Sequence, residues 1–204
     1  DSDVLVYLAA SNCTSPVIYK FEKSNGQCDV FCLDWLINDE KEKKNIKSLA
    51  LFLAGETDSF ASALRFMARR EQQENGSGRR MFIQACVLSG CDYVPHLDGI
   101  GPIKAFKLVQ ENAFRKPEIR FSHILRSLRG SRAVSKTVSK ATTSKDDMAA
   151  LTEYHVAPLN PNRMNENELA DYEVQLAKSE AAFYYHHVST GRKMVPLQPL
   201  YFSD

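Results

Sequence analysis

Leu88-Ser89-Gly90-Cys91-Asp92-Tyr93-Val94-Pro95-His96-Leu97-Asp98-Gly99-Ile100-Gly101-Pro102 is the stretch on which the fold of this chain turns. Before it, Met81, Phe82, Ala85, Cys86 and Leu88 form an apolar stripe, which predicts a helix over about 80–89. After it, Pro102 suits the first position of a new helix, where its missing N–H is no loss. Ile103, Ala105, Phe106, Leu108 and Val109 carry that helix to near Asn112. The unit reads as helix, long double turn, helix. Gly99 and Gly101 let a backbone approach a phosphate closely, and the free N–H groups of a helix start favour an anion. Lys104 and Lys107 follow on the next turn. Asp92 supplies a carboxylate of the kind that hard divalent cations prefer. Taken singly, Asp92 is a turn or cap residue and the GxG a tight turn. Their order is what points to a metal ligand beside a phosphate cradle.

Working outward, Asp1 and Asp3 flank Ser2 at the head of the apolar run 4–9, which reads as a buried strand. In a strand, positions i and i+2 share a face, so the two carboxylates would need a cation or a basic neighbour. A domain rarely opens inside its sheet, so the chain is expected to be a piece of something longer. Residues 16–32, with a turn at Ser24-Asn25-Gly26, suggest a hairpin. Thr57 to Arg70 reads as a helix with Phe60, Leu64, Met67 and Ala68 on one face, capped by Thr57 or Asp58. The Glu74–Gly78 stretch breaks it. Further helices are expected over about 122–128 and 167–187, the latter with Leu169, Tyr172, Leu176 and Phe183 inward. Gly191 ends the last helix, and 194–197 is a short extended tail. Residues 38–47 form a charged surface stretch, and 130–147, rich in Ser, Thr and Lys, read as a mobile insertion.

Composition bounds the alternatives. The chain has 204 residues, 44% hydrophobic and 25% charged, enough to build a core. No uninterrupted apolar run is long enough to span a membrane. The five cysteines (13, 28, 32, 86 and 91) lack the tight spacing of a zinc ribbon, and their odd number suggests reduced thiols in an intracellular protein. Neither HExxH, GxSxG, a Walker pattern nor GxGxxG occurs. The net charge of +1 hides a segregation: −3 over 1–103, +9 over 104–145 and −5 over 146–204. A basic block of that kind is either a solvated face or a track for a polyanion, where counterion release drives binding.

The run Leu88 to Tyr93, continued by Gly99-Ile100-Gly101 and by Lys104-Ala105-Phe106-Lys107-Leu108, resembles the XPG-type structure-specific 5′ nucleases, the flap endonuclease superfamily. Ser89-Gly90-Cys91-Asp92-Tyr93 looks most like the exonuclease 1 branch. Asp1-Ser2-Asp3 is similar to the family's internal acidic motif, and Tyr172, Ala181-Ala182-Phe183-Tyr184, Lys193 and Val195-Pro196-Leu197 fit its tail. The stretches 38–80 and 130–147 look like insertions.

The resemblance implies an α/β fold, the C-terminal part of a PIN-like 5′-nuclease core with a helix–two-turn–helix. Residues 1–103 would be the internal part of that core and 104–204 its C-terminal helical region. Asp1, Asp3 and Asp92 would ligate magnesium and act catalytically. Ser89 through its hydroxyl, with the carbonyls of His96 and Ile100, would hold potassium. Gly99, Gly101, Lys104 and Lys107 would meet nucleic acid. The intact parent would be a magnesium-dependent 5′ to 3′ exonuclease or 5′-flap endonuclease of DNA repair, mismatch repair and replication, in the nucleus. Its substrate would be double-stranded DNA with a 5′ end, nick, gap or flap, its partners repair or replication proteins, with no membrane involved. The rest of the metal site and the arch over the 5′ end would lie outside these residues, leaving this piece inactive alone. The alternative is a non-catalytic module that grips duplex DNA through the double turn.

Overall fold

The computed structural model describes residues 3–13, 16–19, 22–31, 58–130, 158–189 and 193–196. In chain order its elements are α1 (Asp3–Ala10), β1 (Val17–Tyr19), β2 (Asp29–Phe31), α2 (Asp58–Gln73), α3 (Ser77–Ser89) and α4 (Pro102–Glu111). They continue with α5 (Pro117–Gly130), α6 (Glu166–Tyr185), β3 (His187–Ser189) and β4 (Met194–Pro196). The described residues are mostly helical, and their strands form two antiparallel hairpins. No helix among them is long and apolar enough to cross a membrane.

The sequence stripe of α3 understates its burial. Met81, Phe82, Ile83, Ala85, Val87 and Leu88 are all inside. A helix apolar all round belongs at the centre. It packs against α1, α2, α4 and α6. Phe82 meets Phe106 of α4 edge-on at 5.7 Å between ring centres, and Phe106 lies 4.4 Å from Phe60 of α2. At Gly78 the backbones of α2 and α3 nearly touch, since a Cβ there would fall 2.1 Å from the Met67 carbonyl oxygen. The Glu71 carboxylate accepts from the backbone N–H groups of Gly76 and Arg79 at 2.8 and 2.9 Å, so α2 caps the start of α3.

One polar side chain of this helix, Gln84, lies fully inside. Its amide donates to Glu180 of α6 at 2.9 Å and to the Pro117 carbonyl at 3.0 Å. Its oxygen accepts from Arg120 of α5, itself buried. Arg120 also donates to the carbonyls of Asn112, Ala113 and Arg115 in the α4–α5 turn. Arg80 completes the set with 2.7 Å bonds to Glu180 and Glu118. Burial alone would lower the Arg80 pKa, but Glu180 and Glu118 hold it above the ordinary value. For Arg120, burial wins and the shift is downward, opposed by Glu180.

Several expectations change. The run 4–9 is helix α1, where a strand was expected. A continuous apolar run fits either element. The described residues place no strand beside it, so its backbone groups pair internally while Leu5, Val6, Ala9 and Ala10 face α3 and α6. Asp3 thus begins a helix and not a strand, and Asp1 lies outside the described residues. The fourth expected helix is longer, because Pro117 starts it at a position proline favours. The last begins earlier, through a capping box between Asn165 and Glu168, and ends at Tyr185. His187 already belongs to β3, and the expected tail at 194–197 begins as β4, paired with it. The hairpin expected over 16–32 forms, with Val17 opposite Phe31. The stretch 38–47 and the expected insertion, from 131 onward, lie outside the described residues.

Gly78→Ala tests the close approach of α2 and α3. The added methyl must displace backbone, so the variant should lose about 1–3 kcal/mol of stability, read from its denaturant midpoint.

Candidate nucleic-acid interface

Two tight turns join α3 to α4. The first runs Cys91–Val94, closed by the Val94 N–H on the Cys91 carbonyl at 3.3 Å. The second runs Leu97–Ile100, closed at 3.1 Å. Gly99 is its third residue, with φ +68°, the region a turn asks for there and a side chain disfavours. Gly90 caps the end of α3 at φ +110°, and a Cβ on it would stand 3.0 Å from that of His96. Glycine at 90 therefore lets the second turn fold back on the helix end.

The turns are pinned from outside. Leu97 pairs with Leu159 as an isolated parallel bridge. The Leu159 N–H donates to the His96 carbonyl at 3.0 Å, and the Asp98 N–H donates to the Leu159 carbonyl at 2.8 Å. From α6, the Tyr172 hydroxyl donates to the Pro95 carbonyl at 2.7 Å. Burial pushes the Tyr172 phenol well up, and the Cys91 thiol adds to the shift, so it remains a donor. Val94, Leu97 and Ile100 anchor the turns in the core.

What remains outward is polar and open. Asp92, His96, Asp98, Gly99, Gly101 and Lys104 are exposed. Gly101 caps α4 without a side-chain bond, at φ −92°, a conformation any residue adopts. No atom lies within 4 Å of a Cβ built at Gly99 or Gly101. Packing thus gives Gly101 no reason to be glycine, and the open space leaves room for an outside group to approach the backbone. Lys104 and Lys107, three residues apart, share a helix face. Lys107 reaches Glu111 only at 4.0 Å.

The other expected site residues are placed unevenly. Ser89 ends α3, half-buried, and its hydroxyl donates to the Cys86 carbonyl at 2.7 Å. The Ile100 N–H closes the second turn, and the His96 carbonyl already accepts from Leu159. Asp3 is the first residue of α1, and Asp1 lies outside the described residues. The structure brings α1 against the first turn all the same. Leu5 and Val6 line a cavity of about 170 Å³ with Ser89, Gly90 and Cys91. The Tyr93 hydroxyl bonds that of Tyr7 and approaches Nδ1 of His186 at 3.5 Å. Among the described residues, no group of three or more His, Cys, Asp or Glu side chains is placed to hold a metal.

The pins were missed by sequence reading. Tyr172 falls on the inward face of its helix, as its spacing predicts, but its hydroxyl's partner lies far away in the chain. Leu159 carried no signal, because its part is played by backbone groups. Arg120 belongs to the basic block 104–145 by sequence, yet it is an internal strut.

A short stretch of the chain is similar to flap endonuclease 1. The protein of that name from Entamoeba dispar is 46% identical over 39 residues, covering 19% of this chain and 10% of the relative. Flap endonuclease 1 from Tetrahymena thermophila is 42% identical over 40 residues, 20% of the chain and 10% of the relative. Exonuclease 1 from Oryza sativa subsp. japonica is 45% identical over 42 residues, 21% of the chain and 5% of the relative. The matches thus span about a tenth or less of these relatives' length. Their names are those of nucleases, and the similarity supports a relationship to the XPG and flap endonuclease family at the level of that stretch. No family model and no solved structure matches the chain.

Tyr172→Phe tests the outer pin. It should cost about 0.5–1.5 kcal/mol, the net worth of one hydrogen bond. Amide exchange over 94–101 should accelerate more than in α2.

Proposed function

We propose that this chain is part of a structure-specific 5′ nuclease of the XPG type, nearest the exonuclease 1 branch, and that its double turn grips duplex DNA. The observation that carries the reading is the open, glycine-lined start of α4, next to an exposed aspartate and exposed lysines. The nuclease names of the relatives support that chemistry. An anionic phosphate suits a helix start, where unpaired N–H groups and the helix dipole act together. Gly99 and Gly101 let the phosphodiester come close, and Lys104 and Lys107 add charge along the same path. Such contacts read the backbone and shape of DNA and not its bases.

In this reading, Asp92 acts with Asp1 and Asp3 as a magnesium ligand, and hard carboxylate oxygens fit that ion. When bound, the metal supplies water activation and stabilisation of the leaving oxygen. Ser89, His96 and Ile100 offer oxygen donors that fit potassium. The residues' own work is to hold these oxygens, present the helix start and seat the duplex. The parent protein would hydrolyse DNA from a 5′ end or flap in nuclear repair and replication, mismatch repair included. It would share the α/β nuclease core, of which the described residues would form a helical part.

Asp92→Ala in the parent protein tests the reading. Single-turnover cleavage of a 5′-flap duplex should fall by at least about 100-fold, with duplex affinity in calcium nearly unchanged and the melting curve intact. If Asp92 only caps a turn, stability falls by about 0.5–2 kcal/mol and the rate per folded molecule holds. That second outcome would exclude the catalytic assignment.

A further inference from the structure

At the opposite end of α4 from the double turn lies a groove of about 490 Å³. It runs between the Arg70–Ser77 stretch and the Ala113–Pro117 turn. Its walls carry the cations Arg70, Arg80, Arg115, Lys116 and Arg120 against one carboxylate, Glu74. A helix C-terminus ordinarily carries partial negative charge and would repel an anion. Here Arg120 takes the carbonyls of Asn112, Ala113 and Arg115 at 3.2, 3.3 and 3.2 Å, which removes that objection.

Arg80 and Arg120 are committed to the inner network, where Glu180 and Glu118 offset their charge, so the outward cations of the groove are the ones left to meet a ligand. Arg115 and Lys116 are exposed, and neither forms a salt bridge among the described residues. Arg70 Nε is buried without a hydrogen-bond partner among the described residues, and its terminal nitrogens reach Gln73 and Glu74 only at 3.4 and 3.3 Å. At the lip stands Phe114, a phenyl ring 86% exposed, with the Arg70 guanidinium carbon 5.9 Å from its centre.

We propose that this groove binds a nucleotide, with the base stacked on Phe114 and the phosphate held by Arg70, Arg115 and Lys116. An acidic peptide would use the cations and leave the ring unexplained. A base offers the π-face that an exposed ring beside cations is suited to take. The volume lies in the range of small-molecule sites. The site is independent of the double turn, because the ten residues of α4 put about 15 Å between them. Free mononucleotide and the end of a single strand share this chemistry.

The test is a titration of the 204-residue chain with deoxyadenosine 5′-monophosphate, deoxyadenosine, inorganic phosphate, an oligothymidylate and polyglutamate. The monophosphate or the oligothymidylate should bind more tightly than phosphate, nucleoside or polyglutamate. Phe114→Ala should weaken nucleotide or strand binding about tenfold and leave phosphate binding unchanged. Lys116→Glu should weaken both. Each residue is exposed, so melting curves should match the parent chain. Binding of the mononucleotide alone identifies a free nucleotide as occupant, and binding of the oligothymidylate alone identifies a strand. The proposal is overturned if neither binds, if Phe114→Ala binds as the parent does, or if polyglutamate binds as tightly.

Discussion

The amide of Gln84 holds the arrangement together. It sits on the most buried helix, and a buried amide left unpaired is costly, so its partners must come to it. They come from α5, as Arg120, and from α6, as Glu180. Fixing Glu180 fixes α6, and α6 carries Tyr172 to the Pro95 carbonyl. A polar contact inside the helical core thereby sets the position of the double turn on its edge. Networks of this kind reward completeness: each member is satisfied only while the others stay in place.

The same network explains why charge counting along the chain misleads. The block 104–145 has a net charge of +9, yet not all of its described cations face outward. Arg120 is buried within it and neutralises carbonyls. Arg129 is paired with Glu166 across the α5–α6 contact. Among the described residues, the cations facing outward lie apart: Lys104 and Lys107 on α4, Arg115 and Lys116 at its far end, and Arg126 on α5.

The helix–double turn–helix unit was legible because its signals are local. Gly90 and Gly99 adopt positive φ, Pro102 sits at the first turn of α4, and apolar stripes flank them. The α2 and α3 periodicities were equally plain. What could not be read was set by partners distant in sequence. Val4 to Ala9 suits a strand or a helix, and only the neighbours decide. Leu159 supports the second turn with backbone atoms, which leave no trace in side-chain pattern. Of the expected magnesium ligands, the described residues place the Asp92 side chain, in an exposed turn.

The account rests on the start of α4 being the surface that meets DNA. Amide chemical shifts of the isotope-labelled chain, followed during titration with a nicked duplex, test this most directly. Gly99, Gly101, Ile103 and Lys104 should shift together and saturate at one affinity, weakening as salt rises. The Arg115–Lys116 turn should shift less. Saturable duplex binding that leaves 99–104 unmoved, or no binding at low salt by a folded chain, would contradict the account.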